Sequence, residues 1–273
     1  RDLTEIAIAV AVGFDKTAGD DIEFTVQLVK PGIIKAKAQG SADQTTWTHS
    51  ACGRTVFSAI RNLLTTVNRK TFFSHVQLMV IGEDVAREGI TDIIDLFERD
   101  AETNRQATLL IAKGSSAKKI LQAQSELEDI PGMHIVDNLE NNISLAKIKK
   151  TILIDTINVL NFPGLSPGIG VIEKSDGDEE SEEEGGNQFR EEKGFEIKDL
   201  KVHGTAVFKK DILTGWLGPL ETRGLVFAQN EVQSSIINVP NPYQKDKQVA
   251  MEIVRSEGKM DAKMEGNKLR FIV

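Results

Sequence analysis

Apolar residues fall into short runs whose period changes along the chain. Ile6 to Val12 is a continuous apolar run closed by Gly13. After the polar Lys16 to Asp20, Ile22, Phe24, Val26 and Leu28 occupy alternate positions, which predicts strand, turn and strand, with Pro31-Gly32 ending the second strand. Gln39 to Ser50 is polar and reads as a surface excursion whose one large apolar anchor is Trp47. From Thr55 the spacing turns helical: Val56, Ile60, Leu63, Leu64 and Val67 share a face that Phe57 and Ala59 broaden, and Thr55 or Ser50 is placed to cap it. Phe72 and Phe73 lead into an alternating strand, Val76, Leu78 and Val80, which Gly82 closes. Val85, Ala86, Ile90, Ile93, Ile94 and Phe97 then predict one helix, weakened at Gly89 by about 1 kcal/mol of propensity. Ala107 to Ala112 reads as a buried strand, and Ser115 or Ser116 opens a helix carrying Ala117, Ile120 and Leu121.

Beyond the break at Pro131-Gly132, Leu145, Ile148, Ile152 and Val159 predict a long amphipathic helix ending near Asn161. Pro163, Gly164, Pro167 and Gly168 follow and read as turn. From Phe195 onward the pattern is mostly strand: Ile197, Val202, Ala206 and Phe208, then Trp216-Leu217, Leu225 to Ala228, Val232 to Val239, Val249 to Val254 and Leu269 to Val273. The pattern predicts an α+β chain of several domains. Residues 1–125 form a mixed strand and helix domain, 126–226 a middle α+β domain with an insert at 173–192, and 227–273 the start of a C-terminal domain.

Composition changes this picture mainly through charge. The chain has 273 residues and a formal net charge of -8. Between Ser175 and Phe189 stand seven acids, Asp176, Asp178, Glu179, Glu180, Glu182, Glu183 and Glu184, with no basic residue; without them the remainder is at -1. The insert repels itself and holds almost nothing to bury, so a solvated loop or hairpin tip is its least costly state. A near-neutral remainder without a basic cluster or interleaved aromatics gives a phosphate backbone nothing to release counterions against, which argues against a nucleic-acid partner. The apolar runs are far shorter than the roughly 20 residues of a membrane-spanning helix.

Candidate chemistry is sparse. His49, His75, His134 and His203 stand far apart, none at metal-ligand spacing with another histidine or with the single cysteine, Cys52. No metal site is predicted. Cys52 precedes a predicted helix, with Arg54 two residues on, a setting of the kind that activates thiols. It has no identifiable histidine partner or oxyanion-hole segment, and a small residue at a helix start accounts for it. Neither phosphate-loop pattern occurs, and Gly164, Gly168 and Gly170 sit beside prolines, so no nucleotide cofactor is predicted. The insert lacks the ligand spacing of a calcium loop. Glu83, Asp84, Asp92, Asp95, Glu98 and Asp100 fall on a solvated helix face. No catalytic residue can be nominated.

One run is less ordinary. Thr214 to Leu225 packs Gly215, Gly218 and Gly224 with Pro219 and Trp216 between expected strands. Gly218-Pro219 predicts a tight turn, Gly215 and Gly224 predict bulges or close backbone approaches, and Glu221 and Arg223 would share one side of a strand beginning there. Gly215, Trp216, Leu217, Glu221, Arg223 and Gly224 are therefore the candidate interaction residues, with a structural staple holding the turn as the plainer reading.

The same run carries a resemblance. Gly204 to Asp211 (Gly-Thr-Ala-Val-Phe-Lys-Lys-Asp), Gly215-Trp216-Leu217 and Glu221 to Leu225 (Glu-Thr-Arg-Gly-Leu) resemble the C-subunit lipoprotein of bacterial spore germinant receptors, the Ger(x)C family. Gly53 to Arg61, Ser74-His75, Ile81-Gly82-Glu83, Ala86 to Gly89, Phe97 to Asp100 and Ala112-Lys113-Gly114 resemble its other segments in the same order. The resemblance implies a non-catalytic accessory subunit held on the outer face of the spore inner membrane by a lipidated cysteine. The family has that cysteine just before the stretch matched by Arg1-Asp2-Leu3, and Cys52 lies too far inside the chain to replace it. The implied partners are two integral membrane subunits, one of them transporter-like and the implied holder of the germinant. It also implies a longer C-terminal domain than the residues after Trp216 provide. Two other readings stand beside it: an extracytoplasmic small-molecule binding protein, from the alternating strands and helices, and a hydrolase using Cys52.

Overall fold

The computed structural model describes residues 6–29, 46–67, 70–123, 131–142, 146–174, 195–197, 200–232, 234–244, 247–258, 261–266 and 268–272. The expected acidic insert lies almost wholly outside the described residues. Three strands at the start form one antiparallel set: β1 (Ile6–Lys16), β2 (Ile22–Val29) and β3 (Thr46–Gly53). Helix α1 (Val56–Thr66) is capped by Thr55, whose side chain accepts from the Ser58 amide, and β4 (Lys70–Phe72) pairs with the start of β1. Then come β5 (Leu78–Gly82), α2 (Glu83–Glu88), α3 (Thr91–Arg99), β6 (Thr108–Lys113), α4 (Ala117–Gln122), α5 (Pro131–Asn142), α6 (Leu153–Asn161) and β7 (Gly168–Lys174). The rest is β8 (Phe195–Ile197), β9 (Leu200–Lys209), β10 (Ile212–Leu217), α7 (Pro219–Ala228) and two ribbons, β11 (Ser235–Pro240) with β12 (Gln248–Ile253), and β13 (Asp261–Glu265) with β14 (Lys268–Ile272).

The architecture is mixed α+β, built on a ten-stranded sheet in the order β10-β9-β7-β6-β5-β1-β2-β3, with β4 beside β1 and β8 beside β9. Its centre, β7-β6-β5-β1, is parallel, and antiparallel pairs extend it on both sides. Parallel strands need crossovers, and helices supply them on both faces. All five residues of β5 are buried, which is why that strand reads as an unbroken apolar run. One face buries Phe14, Phe24, Met79 and Ile111 under α1, α2, α3 and α6; the Phe14 ring stands 5.2 Å from Phe24 and edge-on to Phe97 at 5.8 Å. The other face buries Leu78, Val80 and Leu110 under α4 and α5. Strands β6 and β7 lie on either side of the expected division at 125/126 and pair directly.

Two buried polar groups tie helices to the sheet. Asp15 accepts from the Ala117 and Lys118 amides (2.7 and 2.9 Å), and burial pushes its carboxyl above the usual range, against the pull of those amides. Gln27, on the other strand of the β1–β2 hairpin, donates to the Leu121 carbonyl (2.9 Å) and accepts from the Gly132 amide (3.1 Å), so one side chain closes the end of α4 and the start of α5.

Four expectations are corrected. The single helix over Val85 to Phe97 is two, because Gly89 takes φ 136 and the chain turns there against Asp211, whose carbonyl accepts from the Ile90 amide. The long helix to Asn161 begins only at Leu153. Ahead of it Ala146 has φ 53, the Thr151 carbonyl accepts from the Leu109 amide at 2.9 Å, and Ile148 bridges to Gly204, so pairing with the sheet overrides the helical spacing. Pro163-Gly164 is a turn as expected, but Gly168 and Gly170 belong to a strand inside the sheet. A Cβ on Gly170 would lie 2.8 Å from the Lys149 carbonyl, so the glycine marks a close backbone approach within β7. Finally, Leu225 to Ala228 is helix and not strand.

Candidate interaction site at the end of β10

The nominated residues divide between two elements. Gly215, Trp216 and Leu217 end β10, with Trp216 opposite Ala206 and Leu217 opposite Thr205 on β9. The register shifts between Leu213 and Gly215, so Gly215 sits at an irregularity, as its composition suggests. Glu221, Arg223 and Gly224 lie in α7. Proline cannot donate and has a helical φ, so Pro219 suits the first turn, and the Glu221 carboxylate accepts from the Gly218 amide at 2.8 Å. A helix advances about 100° per residue, so Glu221 and Arg223 point to well-separated directions instead of sharing a side. A Cβ on Gly215 or Gly224 would meet nothing within 4 Å, so neither is a close approach.

The close approach belongs to Gly204. Its φ is 72, and a Cβ there would lie 2.4 Å from the Leu217 carbonyl oxygen, so only glycine lets β9 approach the end of β10 this closely. Thr205 beside it is fully buried and shares a hydroxyl hydrogen bond of 2.9 Å with the equally buried Thr222 of α7. Trp216 is half-buried against the core face that holds Phe14. The turn is thus held by a close backbone approach, a threonine pair and a carboxylate cap, while Leu220 stands 76% exposed at its outer corner.

Beside Trp216 the fold gathers charges that the sequence keeps apart. Lys113 Nζ lies 5.6 Å from the Trp216 ring centroid and 3.8 Å from Glu173. Glu173 also faces Lys201 at 3.8 Å and His203 Nε2 at 2.5 Å. These residues come from β6, β7 and β9, and register places Lys113, Glu173 and Lys201 in one row across the strands. No local motif announces such a row; only the strand order does. The other histidines are scattered: His49 stands edge-on to Trp47 on β3, His75 is exposed in a turn, and His134 is on α5. Cys52 is exposed near the end of β3. Among the described residues no group of three or more His, Cys, Asp or Glu could hold a metal ion, and no helix is long and apolar enough to cross a membrane.

A cleft of about 850 Å³ opens at the other end of the parallel strands, among Gln77, Gln106, Asp137, Lys150, Asp155 and Glu231. It lies beside the junction to the ribbons. Lys149, only 9% exposed, donates to Gln229 Oε1 at 2.7 Å and pairs with Glu231. Asn230 accepts from the Gly258 amide at 3.0 Å, which joins the stretch after β12 to the end of α7.

Residues 1–174 match the family model described as spore germination protein N-terminal domain, and residues 203–273 match that described as spore germination B3/GerAC like, C-terminal. The chain belongs to the GerAC family of spore germination proteins. Spore germination protein KC of Bacillus subtilis (strain 168) is 26% identical over 274 residues, a stretch that covers 98% of this chain and 66% of that protein. The putative spore germination protein YfkR of the same organism is 25% identical over 278 residues, with coverage of 100% and 67%. The chain therefore spans about two thirds of the length of these relatives. A solved structure titled "Crystal Structure of the GerBC protein" gives a TM-score of 0.47 at 16% identity, covering 95% of this chain and 67% of that one. The ordered segments from Gly53 to Leu225 that resemble the family span both matched domains.

Proposed function

We propose that this GerAC-family chain is a non-catalytic accessory subunit of a nutrient germinant receptor, acting by protein contact with integral membrane subunits, one of them transporter-like. The observation that carries the reading is the two family models in tandem, 1–174 and 203–273. The family's lipidated cysteine would precede Arg1 and hold the protein on the outer face of the spore inner membrane. The end of β10 and the first turn of α7 are the proposed contact region. The close backbone approach at Gly204 and the buried Thr205–Thr222 pair support it, since they anchor the turn that carries Trp216 and Leu220 and so lower the entropic cost of docking. Residues beyond about 227 form a second module, joined at Lys149 and Asn230. Co-purification of the tagged protein with the membrane subunits from spores tests the reading; receptor assembly and germination unchanged by deletion of the gene would refute it.

The polar cleft of about 850 Å³ favours one second reading, an extracytoplasmic small-molecule binding protein. Calorimetric titration with amino acids and sugars checks it, and absence of binding at millimolar ligand removes it.

A further inference from the structure

We propose that the sheet edge where the turn after α6 meets the β9–β10 hairpin is a contact surface for an anionic lipid bilayer. Two backbone reversals adjoin there. Phe162 to Leu165 is closed by the Leu165 amide donating to the Phe162 carbonyl at 3.3 Å, with Gly164 at φ 88 in the place a type II turn reserves for glycine. The hairpin turns over Lys210 and Asp211 alone, between the paired Lys209 and Ile212, with Lys210 at φ 59. The Lys210 amide donates to Ser166 Oγ at 2.9 Å and fixes the two tips side by side.

The joined tips carry Phe162, Leu165 and Ile212, which are 67%, 52% and 45% exposed, and the exposed Lys209 and Lys210. Asp211 at the same turn keeps its charge and accepts from the Thr91 hydroxyl at 2.7 Å, so the two lysines exceed it by one positive charge. Apolar side chains gathered on a surface mark a contact. On exposed turn tips they can reach the boundary between headgroups and acyl chains without a complementary pocket, and lysines beside them gain from anionic headgroups. Short, hydrogen-bonded turns lose little freedom on docking. Acidic groups stand at the same end of the sheet around the cleft. Glu140 and Glu231 are paired with Lys150 and Lys149, while Asp137 and Asp155 keep the rest of that end from an anionic surface. Contact is therefore edge-on and confined to the tips. It requires no lipid anchor and stands or falls independently of the receptor role.

The test is sedimentation of the chain with vesicles of phosphatidylcholine alone and with about a third phosphatidylglycerol. Binding is expected to the mixed vesicles, weaker to the neutral ones and reduced by salt. The Phe162→Ser, Leu165→Ser, Ile212→Ser triple variant should lower the partition coefficient about tenfold or more, and Lys209→Glu with Lys210→Glu should lower it by a similar factor on the mixed vesicles only. All five side chains are exposed, and an unchanged circular dichroism melt confirms the fold of each variant. No binding of the parent chain to either vesicle, or equal binding by the triple variant, overturns the proposal. Loss of receptor assembly by the triple variant without any lipid binding also overturns it and assigns the patch to a protein partner.

Discussion

Replacing Trp216 with alanine asks how much of the β10 turn is core. A fully buried tryptophan costs about 3–5 kcal/mol when cut to alanine, through lost transfer energy and the cavity left behind. Trp216 packs against one face of the core with only part of its ring, and β10 is an edge strand whose neighbours can relax into the space. The expected loss is therefore about 2 kcal/mol. The ring's interaction with Lys113 Nζ at 5.6 Å accounts for about 0.5–1 kcal/mol of it, because the lysine is partly solvated and also faces Glu173. Urea denaturation followed by far-ultraviolet circular dichroism measures the change, and Trp216→Phe should recover more than half of it. Lys113→Met separates the cation from the packing. A Trp216→Ala variant within about 0.5 kcal/mol of the parent would refute the packing account. If that variant stays folded and still fails to co-purify with the membrane subunits, the ring's exposed part belongs to the contact surface.

Gly204→Ala should cost about 2–3 kcal/mol, from a left-handed φ of 72 and the 2.4 Å approach to the Leu217 carbonyl; a melt that does not move would show that the end of β10 can move aside. Gln27→Leu leaves the Leu121 carbonyl and the Gly132 amide without their buried partner, so a loss of about 2–4 kcal/mol is expected in denaturant titrations, and near-neutrality would mean that water or another group replaces the amide. Asp15 contributes a pH dependence. Burial holds its folded pKa above 3.8, so the folded chain keeps a proton that the unfolded chain has lost. Its contribution to stability is then greatest below 3.8 and falls as pH rises through the folded value. Asp15→Asn removes that slope, while losing one of the two amide contacts at about 1–2 kcal/mol. A parent-minus-variant difference that is flat or grows with pH would contradict the assignment.

Local pattern determined much of this protein by itself. The continuous apolar run of β1, the alternation of β2 and the helical stripe of α1 are decided by nearest-neighbour chemistry: side chains alternate every two residues or recur every 3.6, and Thr55 caps where its hydroxyl can reach the Ser58 amide. The ordered segments from Gly53 to Leu225 were likewise legible, because they are contiguous stretches. Tertiary structure decided what depends on partners distant in the chain. The extended stretch at 146–152 has helical spacing yet pairs with the sheet, since Thr108 and Gly204 offer backbone partners that a helix there would leave unmet. Glycine-rich 168–170 looks like turn and is a strand at the level of Lys149, because the sheet needs room there. The row Lys113, Glu173 and Lys201 with His203 reaching into it, and the joined tips that carry Phe162, Leu165 and Ile212, exist only once strand order is fixed. Sequence separation hides such neighbours, and the register of the ten-stranded sheet supplies them.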